Sequence, residues 1–191
     1  MPLQETLVKF NWVDIVAICV IILSAYKGAK KGFIIEIFKL LAVVLSLSVG
    51  LHYFSKASDS LLEYFPQVGI IFSDLICFVV LAILSYLAVT AAREAIRRFI
   101  KTEEVSGLHK WGGLILGLVR GALLTGLLFI GFYFLNVNYL KGSVSRSYLG
   151  SRLVSAGIKA YEFTFGGIVS KFVPDESLNK SIYEVLEEDR K

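Results

Sequence analysis

Residues 75–92, LICFVVLAILSYLAVTAA, contain no charged side chain, and neither do residues 121–140, GALLTGLLFIGFYFLNVNYL. Each stretch is about as long as a helix that crosses the hydrocarbon core of a bilayer. The chain of 191 residues is 55% hydrophobic and 19% charged, whereas soluble domains average roughly 45–50% apolar and about 25% charged residues. The composition therefore excludes an ordinary cytosolic enzyme, a disordered tail and a disulfide-stapled secreted domain, and it predicts an integral membrane protein.

Four apolar segments are long enough to form membrane-spanning helices, and we place them at residues 10–26, 32–54, 69–92 and 111–135. The first is interpreted as an uncleaved helix, because the residues before it carry mixed charges and no small-residue cleavage site follows. A loop with one amphipathic turn is expected over residues 55–68. The third helix is expected to continue as an amphipathic extension.

Apolar residues recur every three or four positions over residues 154–172, with charged and hydroxyl residues on the other side. This period predicts an amphipathic helix over residues 144–172, which lies in the interface plane or packs on a partner. Pro174 ends it, and a short helix precedes an acidic end. The predicted fold class is all-α: a polytopic membrane protein with four transmembrane helices plus a C-terminal amphipathic helix. Residues 1–140 would form the membrane domain, and residues 141–191 the amphipathic helix and short acidic tail.

Lysines and arginines are concentrated between the first and second helices and between the third and fourth. The segment between the second and third helices has only Lys56. By the positive-inside rule, the two basic segments face the cytoplasm and both termini lie outside it. Three cations after the fourth helix argue the other way: Lys141, Arg146 and Arg152.

Three glycines in the fourth helix, Gly113, Gly117 and Gly121, recur every four residues and share one face. Small residues at this spacing let a neighbouring helix approach closely. Gly28 and Gly32 form a shorter version of the pattern at the start of the second helix. Packing within the chain is favoured over the alternative, a homo-oligomer that forms through the glycine face of helix four.

Arg120 is the only charged residue within residues 111–135, roughly 10–13 Å from the start of that helix at 1.5 Å per residue. A charge at this depth is costly unless it is paired or faces water. Glu36 is the nearest candidate partner, although Glu36 can also pair with Lys39 on its own helix. Asp14 lies in the first turn of helix one, where a carboxylate suits the helix dipole, near the opposite membrane face. Two roles for Arg120 stay open: a clamp that fixes the bundle, or a group in a substrate or ion path.

The sequence predicts no catalytic, cofactor-binding or metal site. His52 and His109 lie far apart, and the two cysteines fall inside apolar segments. The motifs of serine hydrolases, zinc proteases and P-loop proteins do not occur. Anionic lipid headgroups account for the basic residues after the third helix, so nucleic acid is not an expected partner. We therefore expect a protein that is not an enzyme and holds no cofactor.

Residues 11–14 (NWVD), 26–36 (YKGAKKGFIIE) and 113–121 (GLILGLVRG) form three motifs. Together they resemble the colicin V production protein (CvpA-like) family of bacterial inner-membrane proteins, over about residues 11–135. His109-Lys110 stand where the family usually has an Asp-Arg pair. The segment after the fourth helix is too short for the C-terminal serine-protease domain that some relatives carry.

The resemblance implies a multi-pass protein of the bacterial inner (cytoplasmic) membrane, linked to colicin V production or export and to envelope maintenance. We expect an accessory or scaffold protein whose organising residues are Glu36, Arg120 and the glycine face. Its expected partners are the lipid bilayer and an envelope or secretion protein. One alternative is a small oligomeric transporter or channel component with Arg120 and Glu36 lining a polar path. Another is a membrane anchor that recruits a soluble partner through residues 144–172.

Overall fold

The computed structural model describes residues 11–97, 107–172 and 178–187, and within these ranges it contains helices and turns but no strand. Four long helices are apolar enough to cross a membrane: α1 (Trp12–Lys31), α2 (Phe33–Tyr64), α3 (Ile70–Arg97) and α4 (Gly107–Phe134). Shorter helices follow: α5 (Asn138–Arg146), α6 (Gly150–Thr164) and α7 (Ser181–Glu187). The prediction of an all-α polytopic membrane protein with four spans is confirmed.

A single residue, Gly32, joins α1 to α2, whereas the sequence suggested that helix one ends at residue 26. Gly32 has φ +82°, in the left-handed region that glycine adopts readily. Its N–H donates to the Gly28 carbonyl oxygen at 3.1 Å. Lys30 and Lys31 lie in the last turn of α1 rather than in a loop, where cations interact favourably with the carbonyl end of a helix. Because the link is so short, α1 and α2 diverge, and α1 packs mainly along α4.

The loop expected over residues 55–68 is wrong over most of its length, because α2 continues to Tyr64. The chain turns only at Pro66–Val68, a short 3-10 turn that precedes Gly69. Contact with α3 stabilises the extra turns of α2: Ser58 is buried, and the Ser73 hydroxyl donates to its carbonyl oxygen at 3.2 Å. Polar residues suggested a loop, but proline is the first residue that breaks the helix.

The helix expected over residues 144–172 is divided in the structure. Its first residues belong to α5, and α6 begins at Gly150 after a short turn. After α6, Gly166 and Gly167 lie within a π-helical turn, Phe165–Val169, which is followed by one α-helical turn, Ser170–Phe172. The apolar side of α6 is buried within the protein, with Tyr161 fully enclosed. This buried side therefore does not offer a surface to a soluble partner.

The main hydrophobic core lies between α2, α4 and α6, at the end of the bundle where α1 begins. Two glycines allow α4 and α6 to touch: an added Cβ at Gly126 would lie 2.5 Å from the Leu153 carbonyl oxygen, and one at Gly157 would lie 3.2 Å from Ile130 Cδ1. Aromatic and aliphatic side chains fill the rest, including Leu47, Leu51, Phe54, Phe78, Phe129, Phe165 and Ile182. The C-terminal helices are therefore packed against the membrane helices.

Candidate functional site

A cluster of three buried charges joins α2 to α4. Glu36, in the first turn of α2, has no solvent-exposed surface, and Lys39 and Arg120 are almost completely buried. The Arg120 Nε atom lies 3.2 Å from Glu36 Oε2, while Lys39 Nζ donates to Glu36 Oε1. Both partners that the sequence offered to Glu36 therefore contact it at once, one on each carboxylate oxygen.

The position of Arg120 along α4 explains how it reaches this cluster. It lies thirteen residues after Gly107, the first residue of α4, which is about 20 Å at 1.5 Å per residue. Side chains on a helix lean toward its N-terminus, so Arg120 points toward the membrane face at which α2 begins. Its Nη2 also donates to the Ser24 carbonyl oxygen of α1 at 3.4 Å. One guanidinium thus contacts both α1 and α2 from α4.

The glycine face of α4 lies against α1 of the same chain. An added Cβ at Gly113 would lie 2.4 Å from the Gly28 carbonyl oxygen, and one at Gly117 would lie 2.6 Å from the Ser24 carbonyl oxygen. Gly121 likewise faces the backbone of α1. This close approach brings Arg120 within reach of Ser24. A homo-oligomer through this face would have to displace α1, and that association stays a prediction.

Asp14 organises the opposite end of the bundle, away from Arg120. It forms a capping box at the start of α1, in which Asp14 Oδ2 accepts a hydrogen bond from the Asn11 N–H at 2.9 Å. Its other oxygen, Oδ1, accepts hydrogen bonds from the Ser147 hydroxyl at 2.7 Å and from the Leu149 N–H at 2.8 Å. The buried carboxylate therefore connects the start of α1 to the turn between α5 and α6.

Two further hydrogen bonds strengthen this connection, which sequence reasoning missed. The Asn11 side chain donates to the Ser143 carbonyl oxygen at 2.7 Å, and the Gly150 N–H donates to the Ser147 hydroxyl at 2.8 Å. The sequence placed Asp14 in the first turn of a helix, but no local pattern relates it to serines more than a hundred residues later.

A third set of polar contacts fastens α7 to the bundle. The Asn179 side chain donates to the carbonyl oxygens of Leu51, at 3.1 Å, and His52, at 3.0 Å. The Tyr183 hydroxyl donates to Glu162 at 2.5 Å. Burial and this neighbouring carboxylate raise the pKa of Tyr183 to about 12. The His52 ring stacks on Phe165, with 3.7 Å between ring centroids, so this histidine packs in the interior.

The three sets of contacts hold the charged groups in hydrogen bonds and ion pairs rather than presenting them to a ligand. Across residues 11–97, 107–172 and 178–187, no three His, Cys, Asp or Glu side chains come together as a metal site. What the arrangement does chemically is to give the buried carboxylates cationic or hydrogen-bond-donating partners and to fix the helices relative to one another.

The family described as Colicin V production protein matches residues 13–157, more than half of the chain. The chain belongs to the colicin V production protein family. This confirms the resemblance, and the matched region runs past residue 135, where the sequence motifs end, through α5 and into α6. The match includes Glu36, Arg120 and the glycine face, and it takes in Asp14 together with the α5–α6 turn that Asp14 holds.

No curated protein and no solved structure shows significant similarity to the chain. Membership of the colicin V production family and the four apolar helices establish a membrane protein linked to colicin V production. The family is not a known enzyme family. The division of the chain at residue 140 stays a prediction.

Proposed function

We propose that this member of the colicin V production family is a non-enzymatic accessory or scaffold protein of the bacterial inner membrane. It would support production or export of the toxin and maintenance of the envelope. The observation that carries the proposal is the burial of Glu36 between Lys39 and Arg120, each of which forms an ion pair with it. Charges that guide a substrate or ion through a membrane face water or a cavity. Here they are enclosed between helices, as a structural clamp requires.

The proposed topology places both termini outside the cytoplasm. The exposed lysines at the end of α1 support it, because basic residues at the ends of spans favour the cytoplasmic side. Helices α5, α6 and α7 would then lie at the periplasmic face. An alkaline phosphatase fused to the C-terminus should be active, because that enzyme works only after export. A stably expressed but inactive fusion would contradict this topology and place the C-terminus in the cytoplasm.

A complementation assay separates a scaffold from a polar path. A strain that carries the colicin V genes but lacks its own family member is given either the wild-type chain or a triple variant, and its zone of growth inhibition is measured. The triple variant is Glu36→Leu, Lys39→Leu and Arg120→Met. Replacing a buried ion cluster with apolar residues of similar size is often tolerated. A scaffold should therefore stay folded and active, within about twofold of the wild-type zone.

The matched control changes three lipid-exposed residues of the same two helices: Ile34→Leu, Leu41→Ile and Val119→Leu. A triple variant that reaches the membrane at control levels but gives no inhibition zone would contradict the scaffold and favour the polar path. Failure of the wild-type chain to restore the zone would contradict a role in toxin production.

A further inference from the structure

An open groove of about 960 Å³ lies between α5, α6 and the start of α1. We call it the α5–α6 groove. Two arginines, Arg146 and Arg152, line it together with serine hydroxyls, amide side chains and the rings of Trp12, Tyr139 and Tyr148. None of the lining residues is acidic. Its volume is within the range of small-molecule sites in proteins, about 300–1,000 Å³.

We propose that the α5–α6 groove binds a phosphate ester, and that the source is the headgroup of a membrane lipid. Within the described part of the chain, neither guanidinium forms an ion pair with a carboxylate. Arg152 instead lies over the Tyr148 ring, 4.2 Å from its centroid. Guanidinium groups match the oxygens of a phosphate with paired hydrogen bonds. The Ser151 hydroxyl, which also lines the groove, supplies a further donor.

The groove wall is fixed before any ligand arrives. Asp14 holds Ser147 and Leu149, the residues between the two arginine-bearing helices. The Asn11 side chain holds α5 through the Ser143 carbonyl oxygen. A binding surface that is already ordered loses less conformational entropy when the ligand binds.

The depth of the groove argues for a lipid as the source of the phosphate. Trp12 is the first residue of α1, which is long and apolar enough to cross a membrane, and it stacks on Tyr139 with 6.5 Å between centroids and 6° between ring planes. Tryptophan and tyrosine rings settle at the level of lipid headgroups. The groove therefore opens where headgroup phosphates lie.

Trp12 provides a direct reporter of binding. The chain has two tryptophans, so Trp111→Phe leaves Trp12 as the only one, and Trp111 is exposed in α4 on the first turns of another span. The full-length variant in neutral maltoside micelles is titrated with phosphatidylglycerol, with a galactosyl diacylglycerol that lacks phosphate, or with soluble glycerol phosphate. We expect a saturable change in Trp12 fluorescence with phosphatidylglycerol and none with the galactolipid.

Two variants in the Trp111→Phe background test the groove itself. Arg146→Gln with Arg152→Gln should weaken binding by more than tenfold, because each lost charge-assisted hydrogen bond costs roughly tenfold or more. Gly142→Leu should block the groove, since Gly142 lines it and an added Cβ there meets open space. Gly166→Leu is the matched control, because Gly166 also has open space around an added Cβ and lies outside the groove.

Saturable binding of glycerol phosphate in the absence of lipid would support the phosphate-ester site but would identify its ligand as a soluble molecule. An equal response to the galactolipid would overturn the proposal. So would unchanged phosphatidylglycerol binding in Gly142→Leu or in the folded double arginine variant. These titrations measure binding alone, so they stand whether or not the accessory role in toxin production holds.

Discussion

Glu36 is the one anion between two buried cations, so its loss should destabilise the protein more than the loss of either cation. The change Glu36→Gln leaves Lys39 and Arg120 both charged and close together. By contrast, Arg120→Gln leaves Glu36 paired with Lys39, and Lys39→Gln leaves it paired with Arg120. Only the first substitution leaves two charges without an anion.

The expected magnitudes follow from this difference. Removing one partner of a buried ion pair costs about 3–5 kcal/mol, and we expect Glu36→Gln to fall in that range. Each cation variant keeps one ion pair on Glu36 and loses the other, and we expect this to cost about 1.5–3 kcal/mol, the range for a hydrogen bond to a charged group. Adding Lys39→Met to Glu36→Gln should recover part of the loss, because it removes one of the two unpaired cations.

The assay is reversible unfolding of the purified protein in mixed micelles of maltoside and dodecyl sulfate, followed by circular dichroism. Glu63→Gln serves as the control, because Glu63 is exposed on the same helix, and it should change stability by less than about 0.5 kcal/mol. Equal losses in Glu36→Gln and Arg120→Gln, or a double variant less stable than Glu36→Gln, would refute the reasoning.

Three further outcomes can be checked on the same preparation. Gly113→Ala should destabilise the protein by about 1–3 kcal/mol through overpacking against α1. Gly131→Ala, whose added Cβ meets only a ring atom at 3.8 Å, should be neutral or slightly stabilising. Equal effects of the two substitutions would mean that the close approach of α4 to α1 is not needed for stability. Asp14→Asn should expose the α5–α6 turn to hydrogen exchange while Asp59→Asn does not, and unchanged protection would mean that the carboxylate is dispensable. The pKa of Tyr183 is raised to about 12, against about 10 in the unfolded chain, so its contribution to the stability of α7 is full below pH 10 and is lost as the pH rises toward 12. Cleavage of α7 by a protease should therefore increase over this pH range, and Tyr183→Phe should reduce that pH dependence. An identical pH profile in the variant would refute the role of Tyr183.

The spans were predictable from the sequence because an uncharged run of membrane length has few structural alternatives to a membrane-spanning helix. The pairing of Arg120 with Glu36 was predictable for a related reason: so few charges lie within the apolar segments that each has few candidate partners. Helix ends were less predictable where tertiary contacts decide them. Residues 55–64 look like a loop by composition, and they become helical because α3 packs beside them.

The contacts of Asp14 show what sequence reasoning cannot supply. Its role as a helix cap follows from Asn11 three residues earlier, but its bonds to Ser147 and Leu149 depend on how α5 and α6 fold back. Gly126 and Gly157 likewise could not be recognised from a motif, since neither belongs to the four-residue glycine spacing of Gly113, Gly117 and Gly121. Such contacts depend on the relative placement of distant segments, which periodicity within one segment does not record.

The helices are synthesised in order along the chain, so the separation of α1 from α2 at the one-residue link Gly32 affects how these helices insert into the membrane. α1 and α2 are made first, yet α1 packs mainly on α4, the last of the four spans, so α1 must wait in the bilayer until α4 is made. During this wait Arg120 is absent, and Lys39 is the partner on the same helix that keeps Glu36 from entering lipid as a lone charge. We expect Lys39→Gln to lower the amount of inserted protein more than Lys56→Gln, and equal yields would argue against it. A lysine that looks redundant in the finished bundle thus protects the carboxylate until the fourth helix arrives.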